Sequence, residues 1–145
     1  MLAAGVGPSP ALPGYLLGAV VGVLLAVIDL RCLRLPDPLV VVLAVTTGGP
    51  LVLLRPAQAG GALVAAGLVL VAYLLVALLP GRGLGLGDVK LAAVLAFVLG
   101  FAGWPAVFAG LLAAHVIALF FIGRRGQFAF GPALLIGALL TLTAV

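Results

Sequence analysis

The sequence has few charged residues, one cysteine and no glutamate. Only 7% of its 145 residues are charged and 66% are hydrophobic, whereas soluble domains carry about 25% charged residues. A soluble globular fold is therefore excluded, and the composition is that of an integral membrane protein. The single cysteine, Cys32, excludes an intramolecular disulfide and also a zinc site built from paired Cys-x-x-Cys motifs.

The basic residues indicate membrane topology and do not indicate nucleic-acid binding. The net charge is +4, but the seven Lys and Arg residues are scattered between apolar runs and do not form one basic face. We therefore expect membrane lipid, and no nucleic acid, among the partners of the chain.

The apolar runs predict an all-α polytopic membrane protein with a bundle of about six transmembrane helices in a single domain, residues 1–145. Crossing the hydrocarbon core takes roughly 20 mostly apolar residues, and only helices satisfy their own backbone hydrogen bonds there in runs of this kind. No basic segment precedes the first run, so we expect it to remain as a helix rather than to be a cleaved signal peptide. The predicted helices cover residues 12–30, 37–54, 60–79, 88–101, 104–122 and 128–144.

The loops between these helices differ in charge. The first, third and fifth loops, with the helix starts that follow them, hold six basic residues, and the second holds one. The positive-inside rule then places the odd loops in the cytoplasm and both termini outside. The six are Arg31, Arg34, Arg82, Lys90, Arg124 and Arg125, and the one is Arg55.

Three aspartates are the only acidic residues, and all three fall on the predicted cytoplasmic side. Asp37 stands directly before Pro38 and an apolar run, which predicts a helix N-cap. Asp88 also precedes a helix and follows the alternating glycines of "GLGLG". Both a capping role and a functional role are open for Asp88, because bare backbone before it permits close approach by another chain.

Asp29 is more informative, because it closes the first predicted helix. An anion is unfavourable at the negative end of the helix dipole. One interpretation is a pairing with Arg31, Arg34 or Lys90 that anchors the helix at the interface. The other is function, which is the default interpretation for an ionisable residue at the edge of a membrane segment.

Two aspartates from different helices at one membrane face are the minimum that an aspartic hydrolase requires. At close range they cannot both ionise easily, so they share a proton and titrate as a pair. The ionised member can then activate water while the protonated member assists the carbonyl. Such a mechanism needs no metal and no cofactor.

Three other residues are candidates for a functional role. Lys90 is the only lysine and lies two positions after Asp88, where it either supports the aspartates or a substrate carboxylate or is a snorkelling interfacial side chain. His115 lies in the middle of a predicted helix, away from the predicted cytoplasmic face, and is interpreted as a hydrogen-bonded packing residue. Cys32 has no nearby histidine in the predicted topology that would activate it as a nucleophile.

Three blocks of the sequence, in order, resemble the type IV prepilin peptidases, a family of Gly-x-Gly-Asp membrane aspartic proteases. The signature is Gly85-Leu86-Gly87-Asp88, followed by the lysine-bearing helix "VKLAAVLAFVLG". The block "IDLRCLRLPDPLV" is similar to the segment with the first family aspartate, and "FAFGPALLIGALL" is similar to the C-terminal Phe-Gly-Pro block.

The resemblance implies that Asp29 and Asp88 are the catalytic pair and that Gly85, Gly87, Lys90, Asp37, Gly131 and Pro132 are supporting or substrate-binding residues. It implies cleavage of the leader of type IV prepilin, Flp-type pilin or pseudopilin precursors at the cytoplasmic face of a bacterial inner membrane. The partner would be the substrate helix.

The sequence departs from the family pattern in two places. The cytoplasmic insertion with two Cys-x-x-Cys motifs is absent, so we expect a peptidase without methyltransferase activity. Ala129 stands where the family often has proline. Two other classes stay open on the residues alone, a small transport subunit with an ion site and a non-catalytic subunit of a secretion assembly.

Overall fold

The computed structural model describes residue 10 and residues 12–32, 34–81, 84–122 and 130–144. In these ranges the chain forms helices joined by short connections and contains no strand. The predicted all-α polytopic fold is confirmed, with helix ends within a few residues of the expected positions. The six helices are α1 (Leu12–Cys32), α2 (Asp37–Leu54), α3 (Pro56–Ala77), α4 (Leu86–Gly100), α5 (Trp104–Ile122) and α6 (Phe130–Ala144).

The helices expose apolar side chains on the outside of the bundle. Leu53 is 83% exposed and Phe120 is 78% exposed, and large apolar surfaces of this kind face lipid or a partner. By length and composition α1, α2 and α3 are long enough to cross a membrane. Helices α4 and α6 are shorter, with 15 residues each, and α5 has 19.

Helix α4 lies at the centre of the bundle and contacts α2, α3, α5 and α6. Its side chains supply much of the buried core, including Leu91, Ala92, Ala96 and Leu99. A helix that is apolar all round is expected in such a position. Asp88, in the first turn of α4, is therefore attached to the most enclosed helix of the fold.

Small residues let the helices approach closely. A Cβ on Gly100 would lie 2.6 Å from the Cα of Ala62 in α3, and one on Gly137 would lie 2.6 Å from the carbonyl oxygen of Gly110 in α5. Gly18 of α1 is in similar contact with Thr47 of α2. These contacts follow the rule that small residues mediate helix association in membranes.

Helix α2 is interrupted by a π-helical segment, Ala44–Gly48, between α-helical segments Asp37–Leu43 and Gly49–Leu54. Pro50 has no N–H and cannot donate to the Thr46 carbonyl four residues earlier, and such sites favour a local widening of the helix. A Cβ on Gly14 would lie 2.8 Å from that carbonyl oxygen. The sequence predicted an unbroken helix here, because its apolar pattern continues through the segment.

Some of the residues used for the topology lie outside the described residues. These are Arg82, Arg124 and Arg125. Ala129, the residue that departs from the family pattern, also lies outside the described residues. The orientation of the bundle in the membrane therefore remains a prediction from the distribution of charge.

Candidate active site

Asp29 lies in the last turn of α1 and is buried, with 4% of its surface exposed. Helix α1 continues to Cys32, so Asp29 stands one turn inside the helix rather than at its end. Within the described residues Asp29 forms no salt bridge, so the pairing with Arg31, Arg34 or Lys90 is not formed.

The partner of Asp29 is the start of another helix. The backbone N–H of Gly131, in the first turn of α6, donates to Asp29 Oδ2 at 3.1 Å. The first N–H groups of a helix have no intrahelical acceptor, and the positive end of the helix dipole favours an anion there. The unfavourable position of Asp29 on its own helix is thereby offset by a favourable position on α6.

Gly131 has to be a glycine in this arrangement. A Cβ at this position would lie 2.6 Å from Asp29 Oδ2 and 3.3 Å from its Cγ. Pro132 follows in the first turn, where its missing N–H costs no helical hydrogen bond. The predicted Gly131-Pro132 block therefore lies directly against the first aspartate.

Asp88 occupies the third position of α4, whose N-cap is Gly85. Of the two roles left open for Asp88, an N-cap role is excluded, because the helix begins two residues earlier, at Leu86. A carboxylate in the first turn is still favoured by the helix dipole. Its Oδ1 atom is buried and has no hydrogen-bond partner among the described residues, which is uncommon for a buried polar atom.

Leu35 connects the surroundings of the two aspartates. A Cβ on Gly87 would lie 2.8 Å from Leu35 Cβ, and one on Gly131 would lie 3.5 Å from Leu35 Cδ1. Leu35 therefore lies between the glycine before Asp88 and the glycine that binds Asp29. The carboxylates are close enough for like-charge repulsion from Asp29 to act on Asp88, and no hydrogen bond joins them within the described part of the chain.

The two glycines of the signature have different surroundings. The space beside Gly87 is filled by Leu35, whereas Gly85 is exposed and has an extended backbone with φ −74° and ψ 148°. A Cβ on Gly85 would meet only Asp88 Oδ2, at an ordinary 3.6 Å. Of the two glycines, only Gly85 is therefore open to close approach by another chain, although its carbonyl oxygen already accepts the N–H groups of Asp88 and Val89.

Asp37 and Lys90 bind each other at the same end of the bundle. Lys90 Nζ lies 2.7 Å from Asp37 Oδ2, and the two side chains are 50% and 62% exposed. The N-cap of α2 is Pro36, and no side chain caps this helix. The prediction that Asp37 is the N-cap is therefore wrong, since its carboxylate is directed to Lys90 of α4 instead.

Tyr73 and His115 are neighbours of the site that sequence reasoning did not assign to it. Tyr73 lies within electrostatic range of Asp88, and its hydroxyl lies 3.4 Å from His115 Nε2. Both rings contact Phe130, which begins α6 immediately before Gly131. His115 is hydrogen-bonded as predicted, but it lies closer to the aspartates than its position in the sequence indicates, because α5 packs along α6.

Two carboxylates from separate helix ends, a backbone amide and an exposed stretch of backbone form the candidate site. Carboxyl groups of this kind can exchange protons with water and with a carbonyl compound. Among the described residues, no group of three or more His, Cys, Asp or Glu side chains is arranged to hold a metal ion. The catalytic roles of Asp29 and Asp88 remain predictions at this point.

Comparison with protein-family models gives a match over most of the chain. Residues 16–142 match the model of the type IV leader peptidase family. The match covers α1 to α6 almost completely and includes every candidate site residue. No curated protein and no solved structure gives a significant match to the chain.

Proposed function

The chain belongs to the type IV leader peptidase family, and we propose that it is an aspartic endopeptidase in which Asp29 and Asp88 are the catalytic residues. Leu35 lies beside Gly87, which precedes Asp88, and beside Gly131, whose amide binds Asp29. The observation that carries the proposal is this shared environment of the two acids. They are two of only three acidic residues in the chain. The third, Asp37, is paired with Lys90 at an exposed position.

The proposed reaction is the hydrolysis of a peptide bond by water held between the carboxyl groups. Like charges at close range favour a pair that holds one proton. The ionised carboxylate takes a proton from water as the water oxygen bonds to the carbonyl carbon, and the protonated carboxyl donates to the carbonyl oxygen. The carboxyl that took the water proton then gives it to the nitrogen as the C–N bond breaks, and the other carboxylate regains a proton from a hydroxyl of the intermediate, which leaves as a carboxylic acid.

The residues around the aspartates have positioning roles in this proposal. The Gly131 amide fixes Asp29 Oδ2, and its attachment to a helix start makes that position rigid, as reactive geometry requires. The extended, exposed backbone at Gly85 lets an extended substrate come close to Asp88, because no side chain stands there. Lys90 and Asp37 form an exposed ion pair between the starts of α4 and α2, and exposed pairs of this kind contribute little.

The proposed substrates are prepilin, Flp-type or pseudopilin precursors, cleaved between a short basic leader and an apolar helix. The family supports leader peptidase activity. The cytoplasmic side is proposed because Arg31, Arg34 and Lys90 lie at the end of the bundle that carries Asp29 and Asp88, whereas Arg55 lies at the opposite end.

Removal of each charge tests the proposal. The chain is coexpressed with a prepilin-type probe, a basic leader ending in Gly followed by a leucine- and alanine-rich helix, and leader removal is followed by gel shift. Asp29→Asn and Asp88→Asn are each expected to reduce cleavage by about a thousandfold or more. Asp37→Asn is the matched control and is expected to cleave at close to the wild-type rate.

Folding has to be monitored in the same samples. All three variants should purify from detergent as the same monodisperse species as the wild type. Processing of the probe by both Asp29→Asn and Asp88→Asn at the wild-type rate would reject the aspartic mechanism, and equal loss in Asp37→Asn would show that the charge changes act on the fold.

A further inference from the structure

A groove of about 320 Å³ runs between α1 and α6 and is lined almost entirely by apolar groups. We call it the α1/α6 groove. Leu43 of α2 and Leu95 of α4 form its floor. Small side chains of α1, Ala19 and Ala26, lie along it, while larger residues stand at its exposed rims. The rim residues Val23 and Leu30 of α1 and Ile136 of α6 are 65%, 66% and 43% exposed.

The groove begins at the candidate active site. Leu30 and Pro132, which line one end, are the chain neighbours of Asp29 and Gly131, the two residues joined by the amide hydrogen bond. The other end is lined by Tyr15 and Leu142. From Tyr15 to Leu30 the groove follows α1 for roughly 22 Å, at 1.5 Å per residue, which is most of the roughly 30 Å hydrocarbon core.

These dimensions and this chemistry fit one face of an apolar helix. Small residues allow close approach of a second helix in a membrane, and Ala19 and Ala26 provide them along the groove. A helix in this position lies alongside α1 and α6. Its end at Leu30 and Pro132 would place the adjoining backbone beside Asp29.

We propose that the α1/α6 groove binds the apolar transmembrane helix of the substrate, oriented with its leader-proximal end at Leu30 and Pro132. This proposal rests on the proposed peptidase function, which supplies the substrate, and it adds the surface and the orientation. The groove sets the register: once the helix is seated, only the bond just before it reaches the carboxyl pair.

Single-cysteine cross-linking tests whether the substrate helix binds in the α1/α6 groove and in which register. The native cysteine is removed (Cys32→Ser), the substrate is trapped with Asp88→Asn, and one cysteine is introduced at Leu30→Cys or at Val23→Cys. These positions are almost equally exposed and lie roughly 10 Å apart along α1. The partner is the prepilin-type probe, with one cysteine near the start of its helix or about seven residues deeper.

The expected result is a paired pattern. The early probe cysteine forms a disulfide with Leu30→Cys and the deep one with Val23→Cys, each about tenfold over the crossed pairs. The control Leu119→Cys on α5, which is 70% exposed and does not line the groove, is expected to give background only. Equal cross-linking at all three positions, or cross-linking without register, would show that the groove does not hold the probe helix and would overturn the proposal.

A kinetic test uses Ala26→Leu, which fills the groove, and Ala109→Leu on the exposed surface of α5 as the matched control. Loss of helix seating is expected to raise KM about tenfold, equivalent to about 1.4 kcal/mol, with kcat nearly unchanged. An unchanged KM in Ala26→Leu contradicts the proposal. Cleavage without groove cross-links rejects only the groove, whereas registered cross-links with a probe that wild-type chain never cleaves reject only the peptidase function.

Discussion

The amide of Gly131 donates to the carboxylate of Asp29 at 3.1 Å, and a side chain at Gly131 would occupy the space of that carboxylate. The contact joins the last turn of α1 to the first turn of α6 over 102 residues of sequence. It makes Gly131 a specific partner of the acid rather than a general helix starter. The two residues therefore have to be considered as one unit.

Gly131→Ala is expected to abolish most of the cleavage activity. The new Cβ would lie 2.6 Å from Oδ2, so either Asp29 or the start of α6 must move. A displacement of about 1 Å in a catalytic group can cost on the order of a hundredfold in rate. The measurement is the initial rate of leader removal in detergent or in vesicles.

The control for this substitution is Gly67→Ala in α3. No atom lies within 4 Å of a Cβ at Gly67, and alanine is favoured over glycine in a helix by about 1 kcal/mol. Full activity and equal or higher thermal stability are expected for Gly67→Ala. A Gly131→Ala enzyme with the wild-type rate would show that the contact with Asp29 has no part in activity.

The two signature glycines are expected to respond differently to alanine. Gly87→Ala brings a Cβ to 2.8 Å from Leu35 Cβ, whereas Gly85→Ala makes only an ordinary contact with Asp88 Oδ2 at 3.6 Å. Thermal stability is therefore expected to fall in Gly87→Ala by the 1–3 kcal/mol typical of overpacking. Gly85→Ala should retain wild-type stability.

Activity measurements distinguish the roles of Gly85 and Gly87 further. Gly85→Val, with a branched side chain on the exposed backbone, is expected to raise KM because it obstructs the approach of an extended substrate. The same change at Gly87 should instead reduce the folded fraction. Equal stability of the Gly87 and Gly85 alanine variants would contradict the contact between Gly87 and Leu35.

The sequence was sufficient to predict the helices and the acids of the site but not its long-range contacts. Apolar runs bounded by Pro, Gly and charge locate the six helices, because a membrane helix satisfies its own backbone wherever it lies. The charge distribution already grouped Asp29 with Asp88. The segments that resemble the family include Leu35, Gly131 and Pro132.

The sequence could not show which groups each acid contacts. Asp37 has the local pattern of an N-cap, yet the ammonium of Lys90, 53 residues away, binds its carboxylate. Tyr73 and His115 carry no local signal for the site, since it is the packing of α5 along α6 that brings His115 to Phe130. Periodicity and capping rules are local, whereas these partners are set by tertiary packing.

The Asp37–Lys90 pair is expected to contribute little to stability. Both side chains are at least half exposed, and exposed ion pairs contribute about 0.2–1 kcal/mol. A double-mutant cycle of Asp37→Ala and Lys90→Ala, measured by thermal unfolding in detergent, should give a coupling energy in this range that decreases with salt. A coupling energy of several kcal/mol would contradict the exposed position of the pair.

Lys90→Arg tests whether the compact ammonium has a further role. Arginine can also reach Asp37, so a pairing role predicts nearly wild-type cleavage in Lys90→Arg and a modest loss in Lys90→Ala. Equal and large losses in both variants would indicate that Lys90 acts on the carboxyl pair or the substrate.

His115 is expected to hold its neutral-ring proton on Nδ1. The ring Nδ1 lies 2.7 Å from the carbonyl oxygen of Leu111, and a carbonyl only accepts, so Nδ1 must donate. Nε2 is then the acceptor for the Tyr73 hydroxyl at 3.4 Å. Because the chain has one histidine, ¹⁵N spectra of the labelled protein should contain a single imidazole pair with the Nδ1–H pattern.

The ring contacts among Tyr73, His115 and Phe130 predict which substitutions reduce activity strongly and which reduce it little. Tyr73→Phe loses only a long hydrogen bond and keeps the ring against Phe130, so kcat should fall less than about threefold, given that a typical hydrogen bond contributes about 1 kcal/mol or less. Tyr73→Ala and His115→Ala each remove a ring that contacts Phe130, so the start of α6 and the Gly131 amide lose packing support. In both variants kcat should fall well below that of Tyr73→Phe, while KM stays nearly unchanged. If the two alanine variants matched Tyr73→Phe in kcat, the rings would have no part in positioning the start of α6. A spectrum with the Nε2–H pattern would contradict the two hydrogen bonds assigned to His115.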